Sequence, residues 1–293
     1  MNKRPLLSLG LIVACFLQAT IVHAENASKG RIVSIDGSIT ETIYALGAGD
    51  RLVGVDTTSR FPAETIKLPN VGYMRALSAE GIMSLAPELV ITSKDAGPAA
   101  VLEQLDSAGL EIEYIPNEYS IEGLKEKVQR IAAILNRNPE GERLIDDINQ
   151  STQYLSEEVS ARQANGAPVP RVMFLLAAGG HGVSLAGTET QADALIRLLG
   201  GANVATTHSS YKPLTPEAAV TTQPDVIVIA ETRKGEDSFE KFPSLKLTPA
   251  FQNQRIIKAD SMLLLGFGPR LPAAMHLLLD SFYPVANNTL NNY

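Results

Sequence analysis

One long polar helix, set between two stretches of alternating strands and helices, constrains this fold more than any other feature. From Pro139 to about Asn165 the chain is rich in Glu, Gln, Arg and Ser, and Gly166-Ala167-Pro168-Val169-Pro170 closes the segment. At about 1.5 Å per residue, roughly 26 residues reach about 39 Å, the height of two stacked lobes. A helix of that length ties two bodies together and leaves a cleft between them, and inter-domain clefts are where ligands bind.

Each flank reads as α/β. Arg31-Ile32-Val33-Ser34-Ile35 is a β-branched run of strand type, and Ser38-Ile39-Thr40-Glu41 then has the form of a capping box that opens a helix ending at Gly47 and Gly49. Further strands are predicted at Arg51 to Val55, Leu89 to Ile91 and Ile112 to Ile115, and helices at Ser78 to Leu85, Leu102 to Ala108 and Ile121 to Leu135. Beyond the long helix, Arg171 to Leu176 restarts the alternation. The halves echo one another. Ser78-Ala79-Glu80-Gly81-Ile82, with Pro87-Glu88-Leu89-Val90-Ile91 after it, matches Thr215-Pro216-Glu217-Ala218-Ala219, with Pro224-Asp225-Val226-Ile227-Val228 after it. Ile43 to Gly49 resembles Ile196 to Ala202 in the same way. So long a period implies a duplicated lobe. The alternation before the long helix implies a mainly parallel sheet there, and the expected architecture is two Rossmann-like α/β lobes with a ligand cleft between them and a linking helix. Its boundaries are 25–138 for the N-terminal lobe, 139–166 for the helix and 167–293 for the C-terminal lobe.

Residues 1–24 read as a secretory signal peptide: Lys3 and Arg4, an uncharged apolar run from Pro5 to Val22, then Val22-His23-Ala24 with small residues at the cleavage positions. Ile12-Val13-Ala14-Cys15 offers a competing lipoprotein box, with Cys15 as the acylated residue. Removal at Ala24 would leave 23 basic against 32 acidic residues and move the formal charge from −7 to −9. An acidic chain without a Lys/Arg cluster argues against nucleic acid and anionic membranes as partners. Cys15 is the only cysteine, so the mature chain would have no disulfide and no thiolate metal site. These readings place the protein in the periplasm, as a monomer.

Tyr73, in the loop Asn70-Val71-Gly72-Tyr73-Met74-Arg75, is the first candidate for chemistry. A phenolate is a hard oxygen ligand suited to ferric haem iron, and Arg75 is near enough in sequence to favour the anion. An ordinary loop tyrosine bonded to backbone is the competing reading. The histidines left after the leader do not form a zinc set. His181 follows a strand in Gly179-Gly180-His181-Gly182, His208 lies at the cleft or on the surface, and His276 in an apolar helical pattern reads as a core residue. Gly182-Val183-Ser184-Leu185-Ala186 only approximates a nucleophile elbow and lacks its last glycine.

Val71-Gly72-Tyr73-Met74-Arg75 with Leu77-Ser78-Ala79-Glu80-Gly81-Ile82 resembles the signature loop of periplasmic haem-binding proteins of bacterial haem-uptake ABC systems. Ser38 to Gly49, Tyr211-Lys212-Pro213-Leu214 and Leu264-Leu265-Gly266-Phe267-Gly268-Pro269-Arg270 resemble the same family in the same order. The resemblance implies haem as the transported ligand, Tyr73 as axial iron ligand and His181 as a candidate second one. Arg75, Tyr211, Lys212 and Arg270 become haem contacts, the basic ones for the propionates. Glu80 and Glu217 would dock arginines of a permease dimer carrying its ATPase, with an outer-membrane haem receptor upstream. Cobalamin or ferric-siderophore binding on the same fold is the alternative, and a secreted serine hydrolase using Ser184 stands behind it.

Overall fold

The computed structural model describes residues 30–177, 182–232 and 242–284. In the N-terminal lobe, β1 (Ile32–Ile35), β2 (Leu52–Val55), β5 (Leu89–Ser93) and β6 (Glu111–Ile115) form one parallel sheet in the order β2-β1-β5-β6. A separate two-residue hairpin pairs β3 (Gly72–Tyr73) with β4 (Ala76–Leu77). Helices α1 (Gly37–Ala45), α2 (Ala79–Met83), α3 (Ala99–Ser107) and α4 (Ile121–Leu135) complete the lobe.

Strand parity explains the layering. Successive side chains of a strand face opposite sides of its sheet. Ile32, Leu89 and Ile91 join the cluster under α1 and α4, while Val33, Ile35 and Val90 join the one under α2 and α3. Both faces are covered, so these strands are near-continuous apolar runs. Truncating a fully buried member such as Ile91 to alanine should cost about 2–5 kcal/mol.

α4 occupies the span read from its apolar spacing. Ser120 accepts from Gly123 N at 2.9 Å at its start, and Asn136 in the left-handed region (φ 56°) ends it. α5 (Asn138–Ala164) is the long linking helix. Ile148, Thr152, Leu155 and Val159 form its buried stripe, which lies against α4 at one end and against α10 (Leu271–Phe282) at the other. A Cβ on Gly141 would sit 2.6 Å from Ala132 Cβ, so the α4–α5 crossing requires glycine there.

The C-terminal lobe contains β7 (Arg171–Ala177), β8 (Val183–Ala186), α6 (Gln191–Leu198), β9 (Ala202–Asn203), β10 (Tyr211–Pro213), α7 (Pro216–Thr221), β11 (Val226–Glu231), α8 (Pro249–Gln252), β12 (Ile256–Asp260) and α9 (Ser261–Leu265). Its sheet runs β10-β8-β7-β11-β12, with β9 beside β7. The N-terminal sheet is parallel as its alternation implied, whereas this one is mixed: β8 is antiparallel to β7, and β10 to β8. Few residues separate β7 from β8, whereas a parallel return needs a crossover of about a dozen or more.

The duplication extends to backbone detail. Ser78 caps α2 through Gly81 N, and Thr215 caps α7 through Ala218 N. Ala86 and Gln223, each preceding the equivalent proline, have φ of 43° and 41°. Arg31 Nε donates to Ala86 O at 3.0 Å, and Arg171 Nη2 donates to Thr222 O at 2.7 Å. Each lobe thus uses an arginine at the start of its first strand to satisfy carbonyls left open at a helix end.

One local reading changes. The cap of α1 is Asp36, not Ser38. Asp36 holds φ 105°, and its Oδ1 accepts from Ser38 N at 2.8 Å and from Ser38 Oγ at 2.9 Å. Glu41, expected to fold back onto the helix start, instead pairs with Arg270 of the other lobe.

Candidate functional site

A cleft of about 470 Å³ opens between the lobes, within the usual range for small-ligand sites. Tyr73, Arg75, Asp95 and Tyr119 line it from one side, and Glu189, Gln191, Tyr211 and Met262 from the other. Tyr73 is 47% exposed at the tip of the β3–β4 hairpin, whose turn is Met74-Arg75. The hairpin is strapped on both sides: Thr57 N donates to Gly72 O at 2.9 Å, and Gly97 N donates to Met74 O at 2.9 Å. Gly72 permits the entry with φ 101°, a region L side chains rarely adopt. Met74 turns inward and is buried, which leaves the flanking Tyr73 and Arg75 outward.

The other cleft phenols sit differently. Gln191 Nε2 donates to Tyr119 OH at 3.0 Å, and Tyr211 OH donates to Gln191 Oε1 at 3.5 Å. Burial, then the nearby Tyr119, pushes the Tyr211 phenol well above its ordinary range. Burial also raises Tyr119, helped by Asp95 and Asp36 and opposed by Arg75. Both therefore stay protonated near neutrality and act as hydrogen-bonding groups.

Below the cleft the lobes meet in a charged seam. Lys127 of α4 is 2% exposed; its Nζ donates to Ser38 Oγ at 2.8 Å and to Phe267 O at 3.0 Å. Burial pulls its pKa down, while Asp36, Glu41 and Asp95 pull it up. Arg270 Nε donates to Glu41 Oε2 at 2.9 Å, and Nη2 completes the fork on Oε1. The guanidinium also lies 4.0 Å from the Phe61 ring centre. Arg60 reaches Ser261 Oγ at 3.0 Å and Asp260 at 3.0 Å.

The structure brings Tyr73, Arg75 and Tyr211 to the cleft, but not Lys212 or Arg270. Arg270 is held by Glu41 in the seam, and Lys212 is exposed on β10; neither lines the cleft. His181 lies outside the described residues. His208 is half-buried against Gly187 and does not line the cleft. His276 is exposed on α10, not in the core, because it falls between the buried pairs Ala274-Met275 and Leu278-Leu279. Ser184 sits in mid-strand, paired with Leu176 and Pro213, so it has no exposed strand-to-helix turn of the kind a nucleophile elbow needs. Glu80 and Glu217 are exposed in the first turns of α2 and α7.

Sequence reasoning missed Asp36, Tyr119, Lys127 and Gln191. A signal existed for Lys127: it lies on the apolar stripe Leu124, Val128, Ile131, Leu135 at helical spacing, where a lysine demands buried partners.

A family model described as periplasmic binding protein matches residues 32–263. The periplasmic heme-binding protein RhuT from Roseiflexus sp. RS-1, in apo form, is 37% identical over 87% of this chain and 98% of its own, with TM-score 0.79. A periplasmic heme binding protein from Pseudomonas aeruginosa is 34% identical over 87% of this chain and 93% of its own, with TM-score 0.81. The vitamin B12-binding protein of Photorhabdus laumondii is 25% identical over 80% of this chain and 82% of its own. Among the described residues no helix is long and apolar enough to cross a membrane.

Proposed function

We propose that this chain, which belongs to the periplasmic binding protein family, binds haem in the inter-lobe cleft and delivers it to an ABC permease for iron uptake. One observation carries the choice of haem. Among the described lining residues, Tyr73 alone of three tyrosines is exposed on a strapped hairpin, whereas Tyr119 and Tyr211 are tied into hydrogen bonds with Gln191. Four solved periplasmic haem-binding proteins at 34–37% identity support it further.

In this reading Tyr73 Oη takes the axial position on ferric iron and identifies the cargo. Met74, Leu176, Met262 and Leu265 supply apolar wall, and each Å² of porphyrin removed from water contributes about 25 cal/mol. Arg75 is the cation among the described lining residues, while Asp36, Asp95 and Glu189 are acidic. A propionate therefore belongs at the Arg75 end of the cleft, as a charge-assisted pair. His181 remains the proposed second iron contact, and Lys212 a proposed contact from the rim. Glu80 and Glu217, at duplicated positions on the two lobes, would meet arginines of the two permease subunits, with the ATPase beyond them. An exported, periplasmic monomer suits this role, with an outer-membrane receptor supplying the haem.

Cobalamin binding is the second reading, favoured by the 25% identical relative. Titrating the purified protein with hemin and with cyanocobalamin decides between them. A saturable Soret shift with hemin and no cyanocobalamin uptake supports the haem reading. The opposite pattern replaces it.

A further inference from the structure

We infer that the Tyr119–Gln191–Tyr211 bridge is a spacer that fixes the width of the cleft and so selects a flat macrocycle over one with bulky axial groups. Tyr119 comes from the N-terminal lobe, just before α4; Gln191 and Tyr211 come from the C-terminal lobe. All three line the cleft, and Gln191 spans it, donating to Tyr119 OH at 3.0 Å while accepting from Tyr211 OH at 3.5 Å.

Each member is held from behind. Thr190, 4% exposed, caps α6 by accepting from Asp193 N at 3.1 Å and so aims Gln191 at the helix start. Tyr211 is fixed in β10 opposite Ala186. Tyr119 packs its ring against Phe267 with centroids 5.5 Å apart, and Phe267 O in turn accepts from buried Lys127. Tyr211 and Gln191 share a lobe, so their contact orients the amide, and the bond from that amide to Tyr119 is the one that crosses and forms only over a narrow range of lobe separation. The bridge therefore sets that separation before any ligand arrives, and preorganisation of this kind raises affinity by removing ordering losses on binding.

A planar tetrapyrrole needs a slot of constant width, whereas a corrinoid with substituents above and below its ring needs a wider one. Breaking the bridge should loosen the first fit and admit the second. The inference rests on the haem reading for its ligand, but its geometric part stands on the ligand-free protein.

The test uses the full chain with Cys15, its single cysteine, replaced by serine, and spin labels at Glu103→Cys and Gln252→Cys, one exposed position per lobe. Gln191→Leu and Tyr119→Phe should each broaden the inter-lobe distance distribution measured by double electron–electron resonance. Each should also speed hemin loss to excess apomyoglobin about three- to tenfold, as expected for one net hydrogen bond. The ferric spectrum should stay unchanged, because Tyr73 is untouched. Cyanocobalamin affinity should rise in both variants. The double variant should be no worse than either single, because both remove the same contact. Unaltered distance distributions, or single effects on hemin loss that simply add, would overturn the inference. A wild type that takes up no hemin defeats the haem reading instead, and the distance distributions alone then decide the spacer.

Discussion

Arg270→Leu should damage the ligand-free protein rather than haem retention. Glu41 and Arg270 form a forked pair whose side chains are 5% and 22% exposed, and they join residues 229 positions apart across the lobes. Removing the guanidinium strands a buried carboxylate, a change that typically costs about 3–5 kcal/mol. In a chain of this size that corresponds to a fall in Tm of roughly 6–20 °C. The loss carries a pH signature. Burial already raises the Glu41 pKa above 4.5, and Arg270, through its hydrogen bond and its charge, is what restrains the rise. Without Arg270 the folded-state pKa climbs further. Between 4.5 and that value the native state holds a proton that the unfolded chain has released, so stability falls as pH rises through the window. The deficit relative to wild type should be small near pH 4.5 and grow toward neutrality. Glu41→Leu combined with Arg270→Leu should recover most of it, since no buried charge is left unpaired. Thermal unfolding at pH 5 and pH 8, on the wild type, both single variants and the double variant, measures all of this. Equal deficits at both pH values, or a double variant as unstable as the sum of its singles, would refute the reasoning. If Tm is intact and hemin loss accelerates, Arg270 acts on a propionate after all.

Tyr73→Phe should abolish the tyrosinate-type ferric spectrum of the hemin complex and accelerate hemin loss; an unchanged spectrum and off-rate would remove Tyr73 as ligand. Glu80→Ala with Glu217→Ala should leave hemin affinity intact and slow transport into permease-containing vesicles. Single exposed pairs contribute only about 0.2–1 kcal/mol, so either single change should show a smaller loss. Tyr211 has a folded-state pKa raised above 10.0 by burial, so the wild type should lose stability as pH climbs past 10. In Tyr211→Phe that alkaline decline should be shallower in urea melts at pH 9 and pH 11, and an identical slope would show that Tyr211 is not the group responsible.

The sequence made legible what depends on local pattern. α4 could be read from its spacing because Leu124, Val128, Ile131 and Leu135 lie on one face. α2 and α7 could be read because Ser78 and Thr215 cap them within three residues. Failures came where a distant partner outbid a near one. Ser38 and Glu41 have the spacing of a capping box, yet Asp36 takes the cap and Arg270 takes the glutamate. Nothing local to Arg270 announces Glu41, so a propionate appeared the natural partner for its guanidinium. The bridge at the cleft was hidden for the same reason, with Tyr119 and Gln191 72 positions apart. The antiparallel β7–β8 pair was different: the few residues between the two strands were a usable signal that went unread.

These long-range contacts bear on how the protein moves. A lobe hinges freely when the chain crossing between lobes is its only constraint. Here α5 spans both lobes along one side, through buried Ile148, Leu155 and Val159. Lys127 crosses a second time to Phe267 O, and Glu41 and Arg60 cross to Arg270 and Asp260. Rotating one lobe far enough to open the cleft would strip partners from Lys127 and Glu41, and buried charges without partners are costly. Rotation about an axis along α5 is opposed by contacts that lie off that axis. The seam therefore keeps the lobes from rotating wide apart, the Tyr119–Gln191 contact narrows the range that is left, and ligand choice falls to the side chains that line the cleft rather than to wide closure around the ligand.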